Sequence, residues 1–376
     1  MTALLPWSAT MIAPNEDFNG APLLRKEFAL ADGHGLPVKA ILRATSFGVF
    51  EASINGRPVG EDVLSPGWSA YEWRLRYRSY DVTHLLEPVN VVGAALGNGW
   101  YRGNLSWNGN SAFYGSELAF LGQLDIEFAD GFVQTVSTDS TWQSGPSATF
   151  ANDLYNGQTI DARLVTDAWT ESGFDPKSWV GVHALDFDTA RLTEPISPPV
   201  VRNEVLKPVD IFTSPSGKTL VDFGQNLVGW IRFTVQGKRG DTISVRHAEV
   251  LEDGELGVRP LRTAQATDTL LLSGGQDFFE PTFTFHGFRY AEVSGWPGEL
   301  TADSLEAVVV HSALERTGTF ECSNSLVNQL HRNVVWGLKG NFLDLPTDCP
   351  QRNERLGWTG DIAVSAPTAA YLYDVK

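Results

Sequence analysis

Between Asp344 and Asp361 the chain reads DLPTDCPQRNERLGWTGD, which sets three Asp, one Glu, two Arg, one Gln, one Cys and one Trp in eighteen positions. Carboxylates at that density point to acid–base chemistry. Glycoside hydrolysis needs one carboxylic acid to protonate the leaving oxygen and a second carboxylate to activate water or attack the sugar. An acid that donates a proton near neutral pH has a raised pKa, set by burial or by a neighbouring negative charge. Glu354 fits that demand, with Trp358 as a large apolar neighbour in sequence and Asp348 and Asp361 as like charges close by. Arg352 and Arg355 are placed to grip carboxylates or sugar hydroxyls, and Trp358 to stack on the apolar face of a pyranose. The same residues would also make a knot of Arg–Glu salt bridges joining two helices. Residue types alone leave both readings open.

Other catalytic patterns are missing from the sequence. It contains no GxSxG elbow, no HExxH and no phosphate-binding P-loop. GNGWYRG, residues 97–103, lies in a β context and is no dinucleotide fingerprint. The seven His are scattered, and His247 and His286 read as structural residues of predicted strands. Cys322 and Cys349, the two cysteines, cannot close a four-cysteine zinc site or form a disulfide framework. No metal site and no cofactor is expected.

The net charge of −17 disfavours nucleic acid and anionic membrane, since phosphate binding needs a basic face. No stretch approaches the ~18 apolar residues of a membrane span. The start, MTALLPWSATMIAPNEDF, lacks a basic segment followed by an apolar run, so no signal peptide is read and a cytoplasmic location is the expectation. The 12 Trp, 21 Phe and 9 Tyr suit an aromatic β-sheet core or a flat apolar ligand such as a sugar.

Most of the elements that must position the motif are strands. Residues 23–188 alternate apolar and polar side chains, with hairpin signals at Asn55-Gly56 and Asp130-Gly131. The expectation is a jelly-roll or β-sandwich domain over residues 1–191. Its Trp68, Trp73, Trp100, Tyr101 and Trp107 lie mostly beside turns, so a non-catalytic carbohydrate-binding module is the alternative function, with aromatic core as the plainer account of those rings. The proline-rich stretch 192–206 reads as a linker. A second β-sandwich is expected over 207–312, with a turn at Asp253-Gly254. From 313 the apolar spacing changes to three and four: Leu326, Leu330, Val334, Val335 and Leu338 predict a helix with Ser323 as N-cap. A second helix is expected around Pro367.

TDCPQRNERLGWTGD, residues 347–361, resembles the signature of bacterial α-L-rhamnosidases, glycoside hydrolase family 78. SPGWSAYEWRLRYRSYDVT, VVGAALGNGWYRG and LYNGQTIDAR look like that family's N-terminal carbohydrate-binding-like jelly roll and the element after it. VDFGQNLVGWIRFTVQG and PTFTFHGFRYAEVSG resemble its following β-sandwich. The resemblance implies an (α/α)6 catalytic barrel and hydrolysis of terminal α-L-rhamnose with inversion. It further implies Glu354 as general acid, and Asp348, Arg352, Trp358 and Asp361 lining a rhamnose pocket. Rhamnose-containing glycosides are the partners so implied. A barrel of that kind needs roughly 300 residues more at ordinary helix and loop lengths. The expectation is therefore an incomplete barrel over 313–376, no position for the general base, and a chain inactive alone.

Overall fold

A computed structural model describes residues 5–107 and 109–375. The first four residues of the stretch read for a signal peptide, Asn108, and Lys376 at the end of the barrel segment lie outside the described residues. The chain forms two compact units: residues 1–102, 114–150 and 164–195, and residues 103–113, 151–163 and 196–376. The second unit thus takes in two pieces of sequence that the domain reading gave to residues 1–191.

The first unit is a curled β-structure. Its central pairing is antiparallel, between Pro37–Phe47 and Ala119–Phe128, and a second row sets Val89–Gly97 between Leu23–Ala29 and Val49–Ile54. Leu124, Ile126 and Phe128 are buried while Asp125 and Glu127 are half-buried, the period-2 signature of a strand with one face on a core. That core joins Leu24, Leu42, Phe50, Ile54, Leu96 and Phe120. The hairpin signal at Asn55-Gly56 is realised: Ile54 pairs with Arg57, and both turn residues have positive φ, 51° and 73°. Trp100 and Tyr101 are buried, with Tyr101 stacked on Phe47 at 4.9 Å, so these two aromatics are core and not a sugar platform.

In the second unit an 18-residue strand, Thr219–Gln236, pairs with His286–Ser294 and Leu305–Ser312. Its register shifts between Asp222 and Leu227, which lets one strand serve neighbours at both ends. The stretch 192–206 is not simply a linker. Val200–Leu206 is a strand antiparallel to Leu305–Ser312, because residues beyond the prolines find a long-range partner. Gly157–Asp161 pairs in parallel with Thr267–Leu271, which ties residues 151–163 into this unit.

Two helices follow, Ser325–Asn341 and Thr359–Leu372. The first is capped by Asn324, not Ser323: the Asn324 side chain accepts from the N–H groups of Leu326 and Val327. Pro367 lies inside the second helix. Val335 and Leu338 bury against Ala369, Leu372 and Tyr373, whereas Leu326 and Leu330, from the same predicted stripe, are exposed. No helix among the described residues is long and apolar enough to cross a membrane.

Candidate active site

Residues 342–358 form the loop between the two helices. Asp348 closes it: its N–H donates to the Leu356 carbonyl at 3.1 Å, and its Oδ1 accepts from the Leu356 N–H at 2.9 Å. The loop lies close on the sheet below it. A Cβ on Gly287 would meet Pro350 at 2.9 Å and Gln351 at 3.0 Å, so this strand position accommodates only glycine without a shift. Inside the loop Arg355 is buried with φ +48°. Sequence reading offered Arg355 as a ligand for carboxylates or sugar hydroxyls. Its guanidinium instead donates to the carbonyls of Arg352, Gln351, Leu154 and Phe285, so it is a structural pin.

The other five singled-out residues form one connected group. Glu354 Oε2 accepts from Arg352 Nε at 3.0 Å and from Arg262 Nη1 at 3.1 Å. Glu354 Oε1 accepts from the Trp358 indole N–H at 3.1 Å. Arg352 also reaches Asp348 at 3.3 Å. Asp348, Trp358 and Asp361 line a cavity of about 600 Å³ with Asn341, Thr347 and residues of both helices. Asp361 sits in the first turn of the second helix, where the helix dipole favours a carboxylate. Glu354 and Arg352 do not line that cavity; they stand behind it, joined through Trp358 and Asp348.

The expectation that Glu354 is held protonated is overturned. Burial pushes its pKa up, but the hydrogen bonds from Arg352 and Trp358 and the charges of Arg352 and Arg262 outweigh this and leave it below the ordinary carboxylate value. Trp358 meets the carboxylate with its N–H, not with an apolar ring face, and Asp348 is neutralised by Arg352. Sequence reading missed Arg262, which lies 92 residues away and has φ +57°, a rare conformation for a side-chain-bearing residue next to a site. It also missed Tyr155, whose hydroxyl donates to the Glu354 carbonyl at 2.6 Å.

Trp107 belongs here too. Its ring stacks on Trp358 with centroids 5.8 Å apart and planes 13° apart, and Asn353 Nδ2 donates to its carbonyl at 3.1 Å. Among the described residues two groups gather ligand atoms of the kind that hold metal ions. In the first, Asp348, Cys349 and Glu354, burial and the hydrogen bond to Asp348 push the Cys349 thiol up to about 12, and guanidinium groups occupy both carboxylates. In the second, His247, Asp268 and His286, the two imidazoles stack at 4.3 Å with planes 19° apart. Asp268 lies against both rings, its Oδ2 3.1 Å from His286 Nε2 and 3.9 Å from His247 Nε2.

That buried triad bears on stability. Burial lowers His247 to about 3, lowers His286 well below the ordinary imidazole value and raises Asp268 to about 6. Below pH 6.5 the unfolded chain protonates both imidazoles while the folded chain does not, so stability falls with acid. Asp268 works in the opposite sense between about 6 and 4, because the folded state holds its proton first. Two imidazoles outweigh one carboxyl, so unfolding takes up protons on balance and stability falls as the pH drops from 7 to 5. Urea unfolding at pH 7 and pH 5 checks this. The His247→Gln variant should flatten the slope by about one proton, and an unchanged slope would remove the triad from the account.

Three family models cover the chain: the α-L-rhamnosidase N-terminal domain at residues 36–204, the bacterial α-L-rhamnosidase concanavalin-like domain at 212–311, and the bacterial α-L-rhamnosidase six-hairpin glycosidase domain at 315–376. The chain belongs to the bacterial α-L-rhamnosidase family. An α-L-rhamnosidase of Streptomyces avermitilis is 42% identical over 97% of this chain, and one of Formosa agariphila 37% identical over 94%. The chain spans 35% and 38% of their lengths. Among solved structures, an α-L-rhamnosidase from Aspergillus terreus superposes with TM-score 0.95 at 44% identity, covering 98% of this chain and 43% of that one. The Streptomyces avermitilis enzyme complexed with L-rhamnose gives TM-score 0.91, covering 95% of this chain and 35% of that one.

Proposed function

We propose that this chain supplies the acid half of the site of an inverting α-L-rhamnosidase. Glu354 is its general acid, and Asp348, Arg352, Trp358 and Asp361 bind the terminal rhamnose. The observation that carries this reading is the bond from the Trp358 indole N–H to Glu354, with Trp358, Asp348 and Asp361 sharing one cavity. The rhamnose bound in a relative 42% identical to this chain supports the same glycone. A neutral sugar with a methyl group suits an indole wall flanked by carboxylate acceptors.

Inversion needs a second carboxylate roughly 6.5–9.5 Å from the acid, with water between. No residue of this chain is assigned that role, so the 376 residues alone are proposed to be inactive. The test is proton NMR of an aryl α-L-rhamnoside treated with the full-length gene product and, separately, with the 376-residue chain. The reading requires β-rhamnose as the first product of the former and no turnover by the latter. First release of α-rhamnose would refute inversion, cleavage of other glycosides but not rhamnosides would refute the glycone, and Glu354-dependent turnover by the isolated chain would refute its incompleteness.

A further inference from the structure

Trp107 lies in the middle of the sequence matched by the N-terminal family domain, yet residues 103–113 pack in the second unit. They form a small ribbon, Asn104–Leu105 paired with Asn110–Ser111, and three bonds fasten it there. The Asn104 N–H donates to Asp153 at 2.7 Å, the Ser106 N–H donates to the Tyr155 hydroxyl at 3.0 Å, and Asn353 donates to the Trp107 carbonyl. Tyr155 and Asn353 are themselves joined to the motif, Tyr155 through the Glu354 carbonyl and Asn353 as its direct chain neighbour. The ribbon is thereby registered against the motif loop to within single hydrogen bonds.

We infer that Trp107 is a positioning residue of the active site: by stacking on Trp358 it fixes the indole plane, and through the indole N–H it aims the Glu354 carboxyl. Trp358 alone is under-determined, since it is 42% exposed and its one side-chain hydrogen bond is the one to Glu354. An indole free to turn about χ1 and χ2 would lose that bond for much of the time. A stacked neighbour removes the freedom without occupying the cavity, because Trp358 lines the cavity and Trp107 does not. A second indole is well suited to this, since offset-stacked aromatic pairs are favoured beyond the area they bury. The rest of Trp358, facing the cavity, stays available to the sugar.

This inference rests on the reading of Glu354 as general acid, and the experiment separates the two. Steady-state kinetics on an alkyl α-L-rhamnoside, whose leaving group needs the acid, are compared for the full-length gene product and its Trp107→Ala and Trp107→Phe variants, from pH 4 to 8. Trp107→Ala should lower kcat/KM about tenfold or more, the scale of a small misplacement of a reacting group. Trp107→Phe, which keeps a stacking ring, should recover most of it. The basic limb of the profile should also move to higher pH in Trp107→Ala, because a carboxylate that loses an N–H donor holds its proton more tightly. Should the alanine variant not fold, Trp107→Leu stands in with the same expected outcomes. Wild-type kcat/KM and an unmoved limb in that variant would overturn the inference while leaving the rhamnosidase intact. A loss that Phe does not rescue, with the limb unmoved, would make Trp107 merely structural and overturn it as well. A wild-type enzyme inert toward rhamnosides would sink the underlying reading first, and this inference with it.

Discussion

Glu354→Gln in the full-length gene product is expected to lower kcat on alkyl rhamnosides by about 10²–10⁴-fold, the span attributed to a positioned proton donor. Glutamine keeps the side chain's shape and can still accept from the Trp358 indole, so the loop should keep its course. The loss depends on the leaving group. An alkoxide leaves poorly without a proton, whereas a nitrophenolate is a stable anion, so the variant should retain far more activity on nitrophenyl rhamnosides. The structure adds a pH requirement. Against the opposing effect of burial, Arg352, Trp358 and Arg262 hold Glu354 below the ordinary carboxylate range, so the protonated form is a small minority at pH 7. Wild-type kcat/KM on alkyl substrates should therefore climb as pH falls below neutrality until another group limits it. The variant should lack this dependence. Equal losses on alkyl and nitrophenyl substrates, or a rate indifferent to pH in the wild type, would remove Glu354 from the acid role.

What could be read from the sequence, and what could not, divides by range of interaction. Asn55-Gly56 and Asp253-Gly254 announce their hairpins because the demand for positive φ is local, and both residues of each pair meet it. The helix after Ser323 is legible from its spacing, and the cap falls one residue later because Asn and Ser serve a cap almost equally well. Val200–Leu206 escaped notice because its partner, Leu305–Ser312, lies a hundred residues on and the preceding prolines look like a linker. At the site, residue types named a cluster correctly but gave the wrong electrostatics. Arg262 and Trp107 reach the motif from 92 and 246 positions away, and each changes what a neighbour can do. Arg262 turns a carboxyl expected to be neutral into an ion pair, and Trp107, read as a sugar-stacking or core aromatic of the first β-domain, stacks on Trp358 of the motif. Local pattern could foresee neither.

Arg355 and Arg352 stand three positions apart and should behave oppositely when replaced. The Arg352 side chain is 30% exposed, and its partners Asp348 and Glu354, at 6% and 15%, each keep another hydrogen-bond donor when it is removed, so Arg352→Met is expected to cost about 1–2 kcal/mol of stability. Arg355 is 2% exposed, and burial lowers its pKa to about 10, which still leaves it charged at neutral pH. The charge is carried by four carbonyl oxygens at 2.6–3.2 Å and by the rings of Tyr155 and Phe285, each within 5 Å of the guanidinium carbon. Three of those carbonyls are spread over Leu154, Phe285 and Gln351, so one side chain ties together three separate segments of the second unit. Removing it strands buried acceptors, and the expected cost of Arg355→Met is about 3–5 kcal/mol. Lysine is no remedy, because a single ammonium cannot serve a planar fork of acceptors, so Arg355→Lys should lose most of the same stability. Urea unfolding of the three variants at one pH decides the matter. A cost for Arg355→Met as small as that for Arg352→Met would mean that the carbonyl cage does not hold the loop, and that Glu354 owes its place to something else.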